Sequence, residues 1–84
     1  MSSFYNCLMR MKKEDVTKKV GGRIREIRIR KGLSMEKLAT DTGIEYSQLS
    51  RIELGKINTS IYHVYIISHS LGVPLNHLFD PIHK

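Results

Sequence analysis

Tryptophan is absent from this 84-residue chain, cysteine occurs once and proline twice. Each scarcity excludes something. The lone thiol, Cys7, forms no bridge within the chain and has no second cysteine at metal-ligand spacing, so neither a disulfide framework nor a cysteine-based metal site is expected. Long apolar runs are also missing, while 40% of the residues are hydrophobic, which together predict a folded soluble protein without a membrane span. The opening stretch MSSFYNCLMRMKKEDVTKK places its apolar patch ahead of its basic residues, the reverse of a secretory signal. A cytoplasmic address is the default expectation. Acidic residues are few: 8 against 14 lysines and arginines, for a net charge of +6.

The positive charge that remains is unevenly spread. Arg10, Lys12, Lys13, Lys18, Lys19, Arg23, Arg25, Arg28, Arg30 and Lys31 are opposed over the same stretch only by Glu14, Asp15 and Glu26. Such a density favours a polyanionic partner, and the basic surface must come mainly from the N-terminal third. A chain this short is one domain at most, with a core small enough that a partner subunit would help to stabilise it.

Residues 1–16 show no apolar period long enough to place a core face and read as a basic arm, or as an extra helical turn through Leu8, Met9 and Met11. From Thr17 the pattern is helical. Val20, Ile24 and Ile27 recur at three and four residues, which predicts a first helix over about 18–31, with Thr17 as its N-cap and Lys31-Gly32 as its stop. The pair Gly21-Gly22 predicts fraying near its start. Ser34 is placed to cap a second helix with Leu38 and Ala39 inward and Gly43 at its end. Ile44 should enter the core. Tyr46 to Glu53 read as a third short helix, with Leu49 and Ile52 inward and Gly55 as the stop. After a polar loop from Lys56 to Thr59, Ser60 should cap a fourth helix, Ile61 to Leu71, whose Ile61, Val64, Ile67 and Leu71 have core spacing. Gly72 should close it, and Pro74 opens a last short helix carrying Leu75, Leu78 and Phe79. The expectation is an all-α, five-helix domain over 17–80, with a short tail at 81–84.

Within it, two short helices flank a turn, with Ala39 small enough to let them approach and Gly43 free to turn the chain. By pattern alone this corner fits DNA binding no better than it fits any small bundle. Residues 23–79 resemble the helix-turn-helix family of the phage Cro and lambda-type repressors, the XRE family. The resemblance rests on Ile24-Arg25-Glu26-Ile27-Arg28, Gly32-Leu33-Ser34, Glu36-Lys37-Leu38-Ala39, Thr42-Gly43-Ile44, Ser50-Arg51-Ile52-Glu53, Gly55-Lys56 and Leu71-Gly72-Val73. It implies a lambda repressor-like fold and sequence-specific binding of double-stranded DNA.

The resemblance makes the third helix, 45–53, the recognition helix, with Tyr46, Ser47 and Arg51 facing bases and Gln48 reading a base or holding a phosphate. The chemistry agrees, since arginine pairs with guanine O6 and N7, and glutamine with adenine. Glu45 departs from the family's small hydroxyl cap; it accepts from cytosine N4, repels the backbone, or simply stabilises the helix dipole. Met35 stands where related repressors carry a phosphate-clamping glutamine. Phosphate contacts are then expected from the backbone amides of Met35 and Glu36 at a positive helix end, helped by Lys56, Asn58 and Arg23, although Lys56 also fits a merely solvated loop lysine. Thr59, in place of a frequent family proline, should leave its loop looser. Arg28 and Glu53 are expected to pair between the first and third helices, bracing the recognition helix.

Tyr62, Tyr65 and Ile66 lie off the core stripe of the fourth helix, and Pro81-Ile82 add apolar surface. They suit either cover by the N-terminal arm or a homodimer interface that sets two recognition helices about 34 Å apart on a palindromic site. Within the wider family, restriction-modification controllers, phage or plasmid repressors and antitoxins share this size. An antitoxin-like module whose main role is binding a partner protein is the rival reading. Catalysis is not expected: His63, His69, His77 and His83 occur singly, and no phosphate-binding or dinucleotide motif is present, so no metal or cofactor is assigned.

Overall fold

The computed structural model describes residues 12–79, which contain five α-helices: α1 (Lys13–Arg30), α2 (Met35–Thr42), α3 (Tyr46–Glu53), α4 (Ile61–Leu71) and α5 (Leu75–Leu78). The local signals work as short-range chemistry requires. Ser34 Oγ accepts the Lys37 amide hydrogen at 3.0 Å, and Ser60 Oγ accepts that of His63 at 3.1 Å, so α2 and α4 each begin with an orphan donor satisfied. Gly43 ends α2 in the left-handed region, φ 76°, where a side chain is disfavoured, while its N–H donates to Ala39 O. Gly72 closes α4 in the same region.

One core joins all five helices. Ile24, Leu38, Leu49, Ile67 and Leu78, one from each, are fully enclosed, with Ile44 buried at the corner between α2 and α3. Predicted core residues Val20, Ile27, Ile52, Val64 and Leu71 are buried beside them.

The first helix differs from expectation. It starts at Lys13, preceded by Lys12, which makes no side-chain cap, and Thr17 lies inside it. Thr17 Oγ1 donates instead toward Glu14 O at 3.1 Å and Gly55 O at 3.0 Å, a bond that ties α1 to the end of α3. Nor does Gly21 mark a frayed end. It is buried in mid-helix against the carbonyls of Ile52 and Glu53, where an added Cβ would collide with Ile52 O and stand 2.9 Å from Glu53 O. Glycine is there because two backbones touch.

Ile61 is a second correction, because it is 79% exposed rather than in the core. As the first residue of α4 it lies one turn beyond the buried stripe of Val64, Ile67, Ser68 and Leu71, at the rim of a cleft of about 150 Å³ that Val16, Val20, Ile52, Ile57 and Phe79 also line. Residues 1–11 and 80–84, which include Cys7, Pro81, Ile82 and most of the proposed arm, lie outside the described residues.

Candidate nucleic-acid interface

At 100° per residue, Leu49, Ile52 and Glu53 turn α3 inward, which leaves Ser47, Arg51 and Leu54 on one outward line. All three of the latter are exposed, as is Tyr46 in the first turn. Gln48 is half-buried on the flank of that line. An arginine and a serine one turn apart, with no helix of the described residues over them, form a surface that can reach base edges in a groove.

Three anchors from α1 hold the far end of this helix: Thr17 on Gly55, Gly21 on Ile52 and Glu53, and Arg28 on Glu53. Arg28 Nε and Nη2 donate to the two Glu53 carboxylate oxygens at 2.7 Å and 3.1 Å, with both side chains buried. A third donation, from Nη1 to Leu33 O at 2.8 Å, fastens the loop before α2 to the same guanidinium. Hydrogen bonding to Glu53 raises the Arg28 pKa above its ordinary value, against an opposing effect of burial, with smaller upward contributions from the charge of Glu53 and from Tyr46 and Glu36. Glu53 is therefore a neutralised brace rather than a bare carboxylate on the outward face.

Two helix starts adjoin α3 along the chain. Before it, Ser34, Met35 and Glu36 open α2; Glu36 is exposed, whereas the Met35 side chain packs partly against the core. Both Glu36 and Tyr46 lie within electrostatic reach of Arg28. After α3, a loop with exposed Lys56 and Asn58 leads to the start of α4. Thr59 is half-buried there and bonds with His63 at 3.3 Å. Glu45 precedes α3 without a side-chain cap; its carbonyl accepts the Leu49 amide hydrogen at 2.9 Å.

Arg23 has a different setting from the other candidates. It projects from α1 roughly opposite the Gly21 and Arg28 line, where Nε donates to His77 O at 3.0 Å and Nη1 pairs with Glu26 at 3.0 Å. The structure thus joins it to α5 rather than to the flanks of α3. One contact was not foreseen: Gln48 Nε2 lies 3.4 Å from His63 Nδ1, across from α3 to α4. Periodicity carries no signal for it, since the two residues belong to separate helices.

The surplus residues of α4 are on the surface, with Tyr62 68% and Tyr65 52% exposed and Ile66 half-buried. Among the described residues no helix is long and apolar enough to cross a membrane, and no group of histidine, cysteine or acidic side chains could hold a metal ion.

Comparison with known proteins gives the same architecture. The family HTH_3, Helix-turn-helix, matches residues 24–78. Control protein C.MunI of a Mycoplasma species is 34% identical over 71 residues, covering 83% of this chain and 96% of its own. The HTH-type transcriptional regulator SlrR of Bacillus subtilis is 42% identical over 62 residues, or 73% of this chain. The chain spans 41% of the length of SlrR and 60% of that of an uncharacterized transcriptional regulator from Rhodospirillum rubrum. Among solved structures, the restriction-modification controller protein C.AhdI from Aeromonas hydrophila superimposes with a TM-score of 0.73 at 35% identity, covering 77% of this chain and 97% of its own. The clp gene regulator ClgR from Corynebacterium glutamicum, at 22% identity and a TM-score of 0.77, shares the fold. With its family match over most of its length and its braced outward helix, the chain belongs to the HTH_3/XRE family of helix-turn-helix transcriptional regulators.

Proposed function

We propose that this protein is a sequence-specific regulator that binds double-stranded DNA as a homodimer, with helix 45–53 of each copy in successive major grooves of a palindromic operator. The observation that carries the reading is the outward line of Ser47 and Arg51 on α3, uncovered and backed by the Arg28–Glu53 brace. Arg51 reads guanine, Ser47 and Tyr46 contact neighbouring positions, and Gln48 adds an amide at the edge of the same surface. Phosphates are met by the α2 amides of Met35 and Glu36 on one flank and by Lys56 and Asn58 on the other. The Glu36 carboxylate weakens the first of these sites, so the Lys56 side supplies more of the attraction. Arg23 is left out of the phosphate set because His77 and Glu26 hold it.

Exposed Tyr62 and Tyr65, with Ile66, form the two-fold contact. Kinship with C.MunI and C.AhdI, nearly all of whose length this chain spans, supports a restriction-modification control role. Selection of duplexes from a random pool by the purified protein tests the reading. A palindromic motif should emerge, and Arg51→Ala should relax it at one position in each half-site, with about 1–3 kcal/mol of discrimination lost. A protein that enriches no motif would falsify the proposal.

A further inference from the structure

We infer that His63 is a positioning residue for sequence readout, holding the Gln48 carboxamide so that a defined edge of it faces the DNA. The inference rests on the proposed entry of α3 into the groove and assigns to α4 a part in base recognition.

Its basis is a small polar cluster at the junction of three elements. Gln48 is the third residue of α3 and leans toward α4, where its Nε2 is 3.4 Å from His63 Nδ1. Thr59 Oγ1, from the intervening loop, is 3.3 Å from the same nitrogen. The imidazole stands on a rigid base, because the His63 N–H is bonded to the Ser60 cap in the first turn of α4. All three side chains are half-buried. Water could serve each of them, so burial does not force the cluster to form, and its consequence is orientation.

A carboxamide has two ends of similar shape and opposite chemistry, an acceptor oxygen and a donor NH₂. An Nδ1 without hydrogen accepts the Gln48 N–H that lies trans to the carbonyl oxygen. The second N–H and the carbonyl oxygen then lie together on the amide's free edge, the donor-acceptor pair that matches adenine N7 and N6–H. If Nδ1 instead carries the hydrogen, it draws Oε1 inward and leaves an amide that only donates, suited to a base acceptor or a phosphate. Thr59 Oγ1 accepts from Nδ1 when that nitrogen carries the hydrogen; when it does not, the hydroxyl shares the single lone pair with the Gln48 N–H or turns its hydrogen away. The side chain that discriminates is therefore Gln48, and the one that sets its edge is His63.

The test compares base preferences, from the same random-pool selection and from competition binding, for wild type, Gln48→Ala, His63→Ala, His63→Asn and the double alanine variant. Gln48→Ala should change preference at one position of each half-site. His63→Ala should weaken preference at that same position by about fivefold, the size of one neutral hydrogen bond, and should add nothing in the Gln48→Ala background. His63→Asn, whose Oδ1 takes the place of Nδ1 as acceptor, should restore it. Thermal midpoints measured alongside separate this from loss of fold.

Three outcomes would overturn the inference while leaving DNA binding intact: a Gln48→Ala profile equal to wild type, a His63→Ala profile equal to wild type, or a His63→Ala loss spread evenly over all positions. Failure of wild type to bind any duplex overturns the proposed function itself. If His63→Ala does not fold, the readout passes to His63→Phe, which keeps a ring but offers no acceptor and should weaken preference at the Gln48 position; a His63→Phe profile equal to wild type overturns the inference.

Discussion

Gly21 of α1 and the carbonyl of Ile52 in α3 touch so closely that no β-carbon fits between them. Gly22, the next residue, has nothing within 4 Å of where its β-carbon would be. Two adjacent glycines in one helix should therefore respond oppositely to alanine. Gly21→Ala forces backbone apart and should destabilise by about 1–3 kcal/mol despite its better helix propensity. Gly22→Ala should stabilise by up to about 1 kcal/mol. Urea unfolding of both variants checks the pair, and a Gly21→Ala protein as stable as wild type would contradict the packing described.

The buried ion pair predicts a non-additive series. Arg28→Ala leaves the Glu53 carboxylate enclosed without its partner and Leu33 O without its donor, a loss of about 3–5 kcal/mol that can unfold a domain this small. The double substitution Arg28→Met with Glu53→Leu removes both charges and should be less damaging than Arg28→Ala alone. Chemical denaturation of each protein provides the cycle. Because the folded arginine value is raised, its contribution is complete below the ordinary arginine range and is lost only as pH climbs through the folded value. The stability difference between wild type and the double variant should accordingly stay constant from about pH 7 to about pH 9.

Lys56 should act on every sequence alike. As a phosphate ligand it contributes counterion release, so Lys56→Ala should weaken specific and non-specific duplexes by a similar factor and reduce the slope of log affinity against log salt by about 1. Binding titrations at several salt concentrations decide this; an unchanged slope would leave Lys56 a solvated loop residue.

Oligomeric state tests the α4 surface. Tyr65, stacked edge-on with His69 at 6.2 Å, is the exposed aromatic to charge. Tyr65→Asp should shift sedimentation equilibrium toward monomer and lower affinity for a palindromic site far more than for a half-site. A wild-type chain that stays monomeric on its palindrome would remove the two-fold arrangement.

Features set by a few adjacent residues were legible in the sequence. Ser34, Gly43, Ser60 and Gly72 cap or close helices through bonds that span three to five positions, and the inward placing of Leu49 and Ile52 on α3 follows from helical period, whereas its proposed base-facing positions come from the family resemblance. Read locally, Thr17 resembles a helix cap and Gly21 a weak point near a helix start, but each owes its place to contacts with α3 or the residue just past its end, far along the chain. Ile61 shared the apolar spacing of its helix, yet spacing says which residues share a face and not where the covering helices stop. The Arg28–Glu53 pair came from the family resemblance. The Gln48–His63 contact has no sequence signal, since it joins two separate helices and no local spacing links an amide to an imidazole fifteen residues on.

Thr17, Gly21 and Arg28 all seize α3 and its end at positions 52–55, behind the residues proposed to meet bases. Mount and tool are thus divided along the length of a two-turn rod. Exchanging Tyr46, Ser47, Gln48 and Arg51 for the side chains of another regulator leaves those fastenings untouched, provided that Leu49 stays to fill the interior. On the proposed reading, new operators are then within reach of a handful of codon changes, without rebuilding the scaffold that carries them.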